Sequence, residues 1–520
     1  MKKIELVFIV IVLVLGCKNA PKANTYSSTV KKNKTISTEK YRPQHHFTPK
    51  TNWMNDPNGL VYYNGNYHLF YQYYPDSTVW GPMHWGHAKS KDLLQWEHRS
   101  IALYPDSLGY IFSGSAVIDK QNSAGFGKNT MVAVYTYHDP VAEKAGNDQY
   151  QSQGIAYSLD EGETWVKYQN NPVVKNPGIK DFRDPKVFWN KEKAVWQMVL
   201  VAKDHVQIYE SKNLKVWNKI SEFRFEENRE LGVWECPDLF KLKVNNEDEE
   251  KWVLIVSHGG ESAPNGGSGT RYFVGDYDGT TFTTDQKESH WLDYGTDNYA
   301  GVTYNDTPTN KRIFIGWMSN WNYATVTPTK SWRSAMTLPR ELQLMKSGDN
   351  YLVKSKLIDG FENMLSTPNQ EHITGTYPHQ FKYEYLQSSS ISFDATIERE
   401  MQVNLFNEKG DELMIGYRKD DGMFYLDRGR AGVLDFSEKY KESSYQTMEI
   451  GHRNSMNIHV VLDASSIEVF INEGEYVMTA QIFTNEPLTS FLFDQKKGGA
   501  IKNFSLKHIK RKEDAYKKAK

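Results

Sequence analysis

Two all-β units in tandem, an N-terminal five-bladed β-propeller followed by a C-terminal β-sandwich, are what this 520-residue sequence predicts. Three observations carry that prediction. Strand-like segments recur through the first two-thirds of the chain at a spacing of about sixty residues, the arithmetic of propeller blades with long loops. No helical period of useful length interrupts them. From about residue 355 the texture changes to short alternating strands with frequent turns.

The chain opens on a leader. Lys2 and Lys3 precede an apolar run from Leu6 to Leu15, then Gly16 and Cys17. The run is too short to span a bilayer as a permanent helix and has the layout of a signal peptide. The small residue before a cysteine resembles a bacterial lipoprotein leader. That implies removal of the leader, residues 1–17 being its extent, and lipidation of Cys17, with the protein held at the cell envelope, periplasmic or on the surface. Leu15 and Glu5 depart from the commoner pattern, and plain secretion with cleavage nearby is the alternative. Residues 18–40 are polar, rich in Lys, Thr and Ser, and read as a flexible tether. Cys236 is the only other cysteine, so the mature chain is expected to hold no internal disulfide.

The propeller is expected over 41–345. YHLFYQY (67–73), MVAVYTY (131–137), AVWQMVLV (194–201), KWVLIVS (251–257) and RIFIGW (312–317) start 64, 63, 57 and 61 residues apart. Most are followed by a polar turn and a short strand ending in an aromatic, as in SKDLLQW, SLDEGETW, SKNLKVW and DYDGTTF. A β-sandwich with insertions is the competing reading of this stretch. Over 355–515, SISFDATI, MQVNLF, ELMIGYR, MFYLDR, MNIHVVLD and SIEVFINEGE alternate apolar and polar residues, with a tight turn at Asn472–Gly474, as an antiparallel sandwich requires. The Lys-rich end from Lys507 reads as a solvated tail.

Composition narrows the partners. Formal net charge is −2 and no basic stripe with interleaved aromatics appears, so nucleic acid is not an expected partner. Aromatics are 13%, with 14 Trp and 32 Tyr, which suits stacking on sugar rings but equally the filling of sheet cores. His45–His46 and His84/His87 lack a third ligand at a sensible spacing, so ring stacking or core hydrogen bonding is expected of them and no metal. The Gly-rich stretch 262–273 lacks the Lys-Ser/Thr ending of a phosphate loop and is expected to be a mobile loop near the funnel mouth. Cys236 has no histidine in a neighbouring motif to activate it and is expected to pack. No cofactor is called for.

The chemistry lies in where the acids fall. Asp56 precedes the first marked strand by 11 residues, Asp184 the third by 10 and Glu235 the fourth by 16, with Ser113 and Tyr299 in comparable places before the second and fifth. If each blade begins with its innermost strand, these side chains project toward one axis. Asp–Pro and Asn–Gly pairs are ordinary turn chemistry taken singly. Three acids in register with the blades point instead to a functional cluster, which is costly to stability and needs a reason to persist. Glycoside cleavage needs one carboxyl group protonated near neutral pH and another ionised, standing ~5–5.5 Å apart in retaining enzymes. Asp56 as nucleophile, Asp184 as fixed stabiliser and Glu235 as acid/base meet those demands, with Arg183 as the counter-charge keeping Asp184 ionised.

WMNDPNG (53–59), FSGSAV (112–117), FRDP (182–185) and WECPDLF (234–240), in that order, resemble the signature set of glycoside hydrolase family 32, the invertase, inulinase and levanase family. The resemblance runs from His46 into the sandwich, where SSIEVFINEGE (465–475) is similar as well. It implies the propeller–sandwich fold, retention at C2 of fructose, and release of fructose from fructans or sucrose. It also implies that Asp184 binds fructosyl hydroxyls. Asn55, Gln72, Trp80, Phe112, Ser113, Arg183 and Trp317 match positions lining the fructosyl pocket, with Tyr299 a further candidate. GWMSNWNYA (316–324) and SWRSAMTLPREL (331–342) look more like bacterial exo-acting fructanases. Fructosyl transfer on the same scaffold, a five-bladed arabinan or xylan glycosidase, and a non-catalytic glycan-binding lipoprotein are the alternatives.

Overall fold

The computed structural model describes residues 39–225, 232–245, 247–261, 263–309, 311–365, 380–494 and 497–510. Cys17, its leader, nearly all of the tether and residues 511–520 of the Lys-rich end lie outside the described residues.

Each of the five marked segments is the second strand of its own antiparallel sheet, and the strand before it carries the motif residues. The sheets occupy 52–98, 110–167, 182–223, 234–291 and 299–357, here blades 1 to 5. Their second strands are the most apolar because they are buried within a blade and between blades. Thr130–His138 and Val195–Ala202 are buried at every position. The first strands, Asn52–Tyr63, Tyr110–Asp119, Phe182–Asn190, Trp234–Lys243 and Tyr299–Thr303, each touch the next, and the fifth touches the first. The ring is latched by Trp332–Arg333, which pairs in parallel with Asn52–Trp53 of blade 1.

The polar turns recognised in the repeat are side-chain-capped. Asp92, Asp160 and Asn213 accept backbone N–H groups of Leu94, Thr164 and Val216 at 3.0, 2.9 and 2.9 Å, the habit of Asx residues in turns. Farther along the first strands, buried polar groups pin the axis. Asp238 of blade 4 pairs with Lys186 of blade 3 at 3.0 Å and accepts both the N–H and the hydroxyl of Thr303 of blade 5. Asn305 donates to the carbonyls of Ala116 and Val187 in blades 2 and 3.

In the sandwich, one sheet runs in the order Gln380–Lys382, Ser490–Phe493, Glu400–Phe406, Glu412–Arg418, Met423–Arg430, Tyr445–Glu449. It faces a sheet ordered Tyr476–Gln481, Ser466–Ile471, Ser455–Asp463, Ser389–Ile397, Gly499–His508. Phe393, Val403, Ile415, Leu426, Ile458 and Val469 fill the space between them. Asn472 and Glu473 hold φ near +50° and +59° and Gly474 +86°, the left-handed run of a tight hairpin turn.

The other face of the five-stranded sheet lies on the propeller. Val461, Phe470 and Val477 share one core with Trp53, Tyr299 and Trp317. Beside it runs a fully buried ionic chain: Asp463–His46 at 2.8 Å, His46–Glu468 at 2.9 Å, Glu468–Arg340 at 2.7 Å and Arg340–Asp293 at 2.8 Å. His45 bonds Ser388 at 2.9 Å, and His87 stacks on Phe70 with centroids 4.2 Å apart. No described helix is long and apolar enough to cross a membrane.

Candidate active site

All five first strands break register at the same level. Pairing skips between Met54 and Pro57, Ile111 and Gly114, Arg183 and Lys186, Glu235 and Asp238, and Tyr299 and Val302. A bulge bends a strand and re-aims a side chain. Here it turns the residue in each skip toward the axis. Pro57, Pro185 and Pro237 stand in or beside three of these bulges, where a missing N–H costs no ladder bond. Asp184 and Cys236 hold φ of +65° and +45°, strained values for residues with a Cβ. The Asp–Pro pairs therefore belong to bulges inside strands, not to turns.

The three acids converge there. Asp56 Oδ2 accepts the Ser113 hydroxyl at 2.6 Å, and Oδ1 the Asn55 amide at 2.9 Å. Asn55 is itself fixed by Trp53 Nε1 at 2.7 Å. Asp184 is buried; its Oδ2 accepts the Cys236 N–H at 3.0 Å and its own N–H reaches Thr136 Oγ1 at 3.0 Å. Cys236 Sγ lies 3.5 Å from Asp56 Oδ2 and 3.7 Å from Asp184 Oδ2, so one thiol touches two of the acids. Burial pushes Glu235 up to about 7; Arg183 opposes, and the charges of Asp184 and Asp56 add to the rise. Burial also raises Asp184, to about 6, against Arg183, with Asp56 adding again. The set titrates as interacting sites.

The geometry gives Arg183 three acids rather than one. The guanidinium bonds Glu235 Oε1 through Nη2 at 3.0 Å and Asp181 through Nη1 at 2.7 Å, while its approach to Asp184 is 3.9 Å. Arg183 thus stands between Asp184 and the acid of the next blade, bonding the latter more closely. Its charge still favours the ionised form of Asp184, but burial outweighs it.

Arg183 leaves Glu235 Oε2 facing outward. A Cβ built on Gly259 lies 3.4 Å from that oxygen and 3.7 Å from Tyr299 Oη, so both oxygens border the space over Gly259. Tyr299 Oη is buried with no hydrogen-bond partner. Trp80 is 40% exposed and stands edge-on to Phe112, which stacks on His138 at 4.2 Å. Gln72 is buried, its amide bonded to Asn58 at 2.8 Å. Trp317 is fully buried, its indole N–H on the Met54 carbonyl, supporting the strand of Asp56 from behind. The Gly-rich loop is tied at both sides: Asn265 bonds the Tyr294 carbonyl and both backbone groups of Thr447, and Glu261 bonds Gly267 N–H and Lys439.

Sequence reasoning treated Cys236 as packing and passed over Thr136, Asp181 and Trp53. Only Cys236 carried a signal, its place beside Glu235. A separate cavity of about 1,110 Å³ opens at the other end of the axis, lined by Asn190, Trp252, Arg312 and Glu341 among others, and touches none of the three acids.

Residues 46–355 match the model described as the glycosyl hydrolases family 32 N-terminal domain, and residues 360–510 that of the family 32 C terminal. A levanase of Bacillus subtilis is 42% identical over 491 residues, covering 91% of this chain and 71% of the levanase. An extracellular exo-inulinase of Aspergillus awamori is 39% identical over 491 residues, 85% of this chain and 89% of the relative. Among solved structures, exo-inulinase from Aspergillus awamori superposes with a TM-score of 0.82 at 34% identity, covering 92% of this chain and all of that one. A β-fructofuranosidase from Schwanniomyces occidentalis, complexed with fructosyl-erythritol, superposes at 0.80 and 29% identity over 92% of this chain and 99% of that one.

Proposed function

The chain belongs to glycosyl hydrolase family 32, and from that membership we infer that it is a β-fructofuranosidase acting on fructans and sucrose. It releases terminal fructose from levan or inulin and from sucrose by double displacement. The ionised carboxylate of Asp56 attacks C2 of the fructosyl unit while Glu235 delivers its proton to the departing oxygen. Glu235, now a carboxylate, takes a proton from water, which attacks C2 and frees Asp56; two inversions give retention. Asp184 accepts hydrogen bonds from fructosyl hydroxyls, with Asn55, Gln72, Trp80, Phe112, Ser113, Arg183, Tyr299 and Trp317 shaping or backing the pocket.

One observation carries this reading. Acids from blades 1 and 3 touch one thiol whose chain neighbour is the blade 4 acid, Glu235, and Glu235, whose outer oxygen borders the space over Gly259, is raised to about 7, so that it keeps its proton to near neutral pH. Two hydrogen bonds hold the Asp56 carboxylate in place, as a nucleophile requires. Purified Asp56→Ala and Glu235→Ala are expected to fold normally and to lose sucrose and fructan hydrolysis by about a thousandfold or more. Near-normal turnover in either would refute the roles. Free fructose alone from sucrose, inulin and levan is the expected product pattern; a ladder of oligomers from one polymer would overturn terminal release.

The enzyme is exported and tethered to the envelope by lipid on Cys17. The leader's charged start, apolar run and Gly16–Cys17 junction support this, as do relatives named extracellular.

A further inference from the structure

Four large apolar side chains stand in water on one stretch of the propeller rim: Val79 41%, Trp80 40%, Tyr104 54% and Leu108 39% exposed. Val79 and Trp80 lie between the second and third strands of blade 1, and Tyr104 and Leu108 in the segment entering blade 2. Both segments stand at the blade ends that carry the acids. Trp53 pairs with Tyr74, Tyr73 with His84, and Tyr110 opens the strand of Phe112 and Ser113.

The aromatic surface runs outward from the funnel. Phe112 meets Trp80 edge-on at 6.1 Å, and four residues on His84 meets Tyr104 edge-on at 5.4 Å. The segment that displays Tyr104 is rigidly built. Asp106 accepts Leu108 N–H at 2.8 Å, Tyr137 Oη at 2.9 Å and Lys167 Nζ at 2.6 Å, and Lys167 also holds the Tyr104 carbonyl. Asp106 and Gly109 close a reciprocal backbone pair. Exposed apolar side chains gathered on one surface, rather than scattered singly, mark a binding site. Asp106 is paired with Lys167, and Asp76 also acts on His84, so the charge here is carboxylate and cation together, and the exposed side chains themselves suit a ligand with apolar C–H faces.

We propose that Tyr104, flanked by His84 and Leu108, is a distal subsite that stacks on furanose rings of a fructan chain whose terminal unit occupies the funnel. Continuity with the pocket through Phe112 and Trp80 selects the substrate's own chain as the occupant. The proposal rests on the function inferred above. On this proposal sucrose leaves Tyr104 uncovered, and only a longer chain covers it.

The test compares wild type, Tyr104→Ala and Tyr104→Trp on sucrose, inulin and levan, with retardation of each protein in native gels containing the polymer. Tyr104→Ala is expected to raise KM for at least one polymer about tenfold, leave its kcat unchanged, lose gel retardation and keep sucrose kinetics within twofold. Tyr104→Trp is expected to restore polymer KM and retardation. Unchanged polymer KM and retardation in Tyr104→Ala, or an equal loss on sucrose, would overturn the subsite. A wild type that is retarded through Tyr104 yet hydrolyses no fructoside would sink the functional reading and leave the subsite standing.

Discussion

Burial and two neighbouring carboxylates hold the proton on Glu235, and Arg183 opposes them without winning. The acid form is present below about 7 and is lost above it, so kcat/KM for sucrose is expected to fall on the alkaline side from about that pH. A fructosyl donor whose leaving group needs no proton, such as β-fructosyl fluoride, is expected to lack that limb when fructosylation is measured. An identical alkaline limb with both donors would show that another group controls the rate. Removing Asp184's charge weakens the repulsion that lifts Glu235, so Asp184→Asn is expected to move the limb to lower pH. None of this was readable from motif order alone. The sequence placed Arg183 beside Asp184, but its closer bonds to Glu235 and Asp181 come from the tertiary fold. Cys236 packs among the acids as expected, and that its partners are Asp56 and Asp184 of other blades came from the tertiary structure.

At the scale of elements, the five bulges explain why the recognisable motifs are so short. A few residues in each first strand must break the ladder, accept unusual torsions and point inward, while the rest must simply pair. The buried chain Asp463–His46–Glu468–Arg340 ties the entry to blade 1 to the sandwich. Asp463 also accepts the backbone N–H groups of Gln44 and His45, fixing the strand's approach. Burial works against the His46 charge, but bonds to Asp463 and Glu468 raise it to about 9. With a folded value above the unfolded ~6.5, its contribution is full below ~6.5 and is lost as pH rises through about 9. Asp463 and Glu468 are lowered, so theirs is present above ~4.5 and fades in acid. The thermal midpoint of wild type is expected to drop between pH 6.5 and 9 by more than that of His46→Gln. Parallel curves for the two proteins would refute the linkage. The variant itself is expected to cost ~3–5 kcal/mol, since it strands buried carboxylates.

As a whole molecule, the propeller and sandwich share a core and an ionic chain, and the Gly-rich loop near Glu235 is fastened to the sandwich through Asn265 and Glu261. The loop expected to be mobile is thus bonded to the second unit. The tether belongs to this scale too. Cys17→Ser is expected to move the enzyme from the membrane fraction to the soluble fraction with kcat/KM on sucrose unchanged. An unaltered fractionation would rule out the lipid anchor.

The sequence by itself pointed to five blades, to a change of architecture near residue 355 and to three acids that the structure brings to one place. Hydrophobic periodicity and repeat spacing are local properties written along the chain. Tertiary structure alone decided which acid Arg183 serves, that Trp317 backs the pocket from within the core, and that a sandwich carboxylate fixes the propeller's entry. Those outcomes depend on torsions at a few strained residues and on contacts between positions hundreds of residues apart. Pairwise electrostatics falls steeply with distance in space, and distance along the chain does not report it.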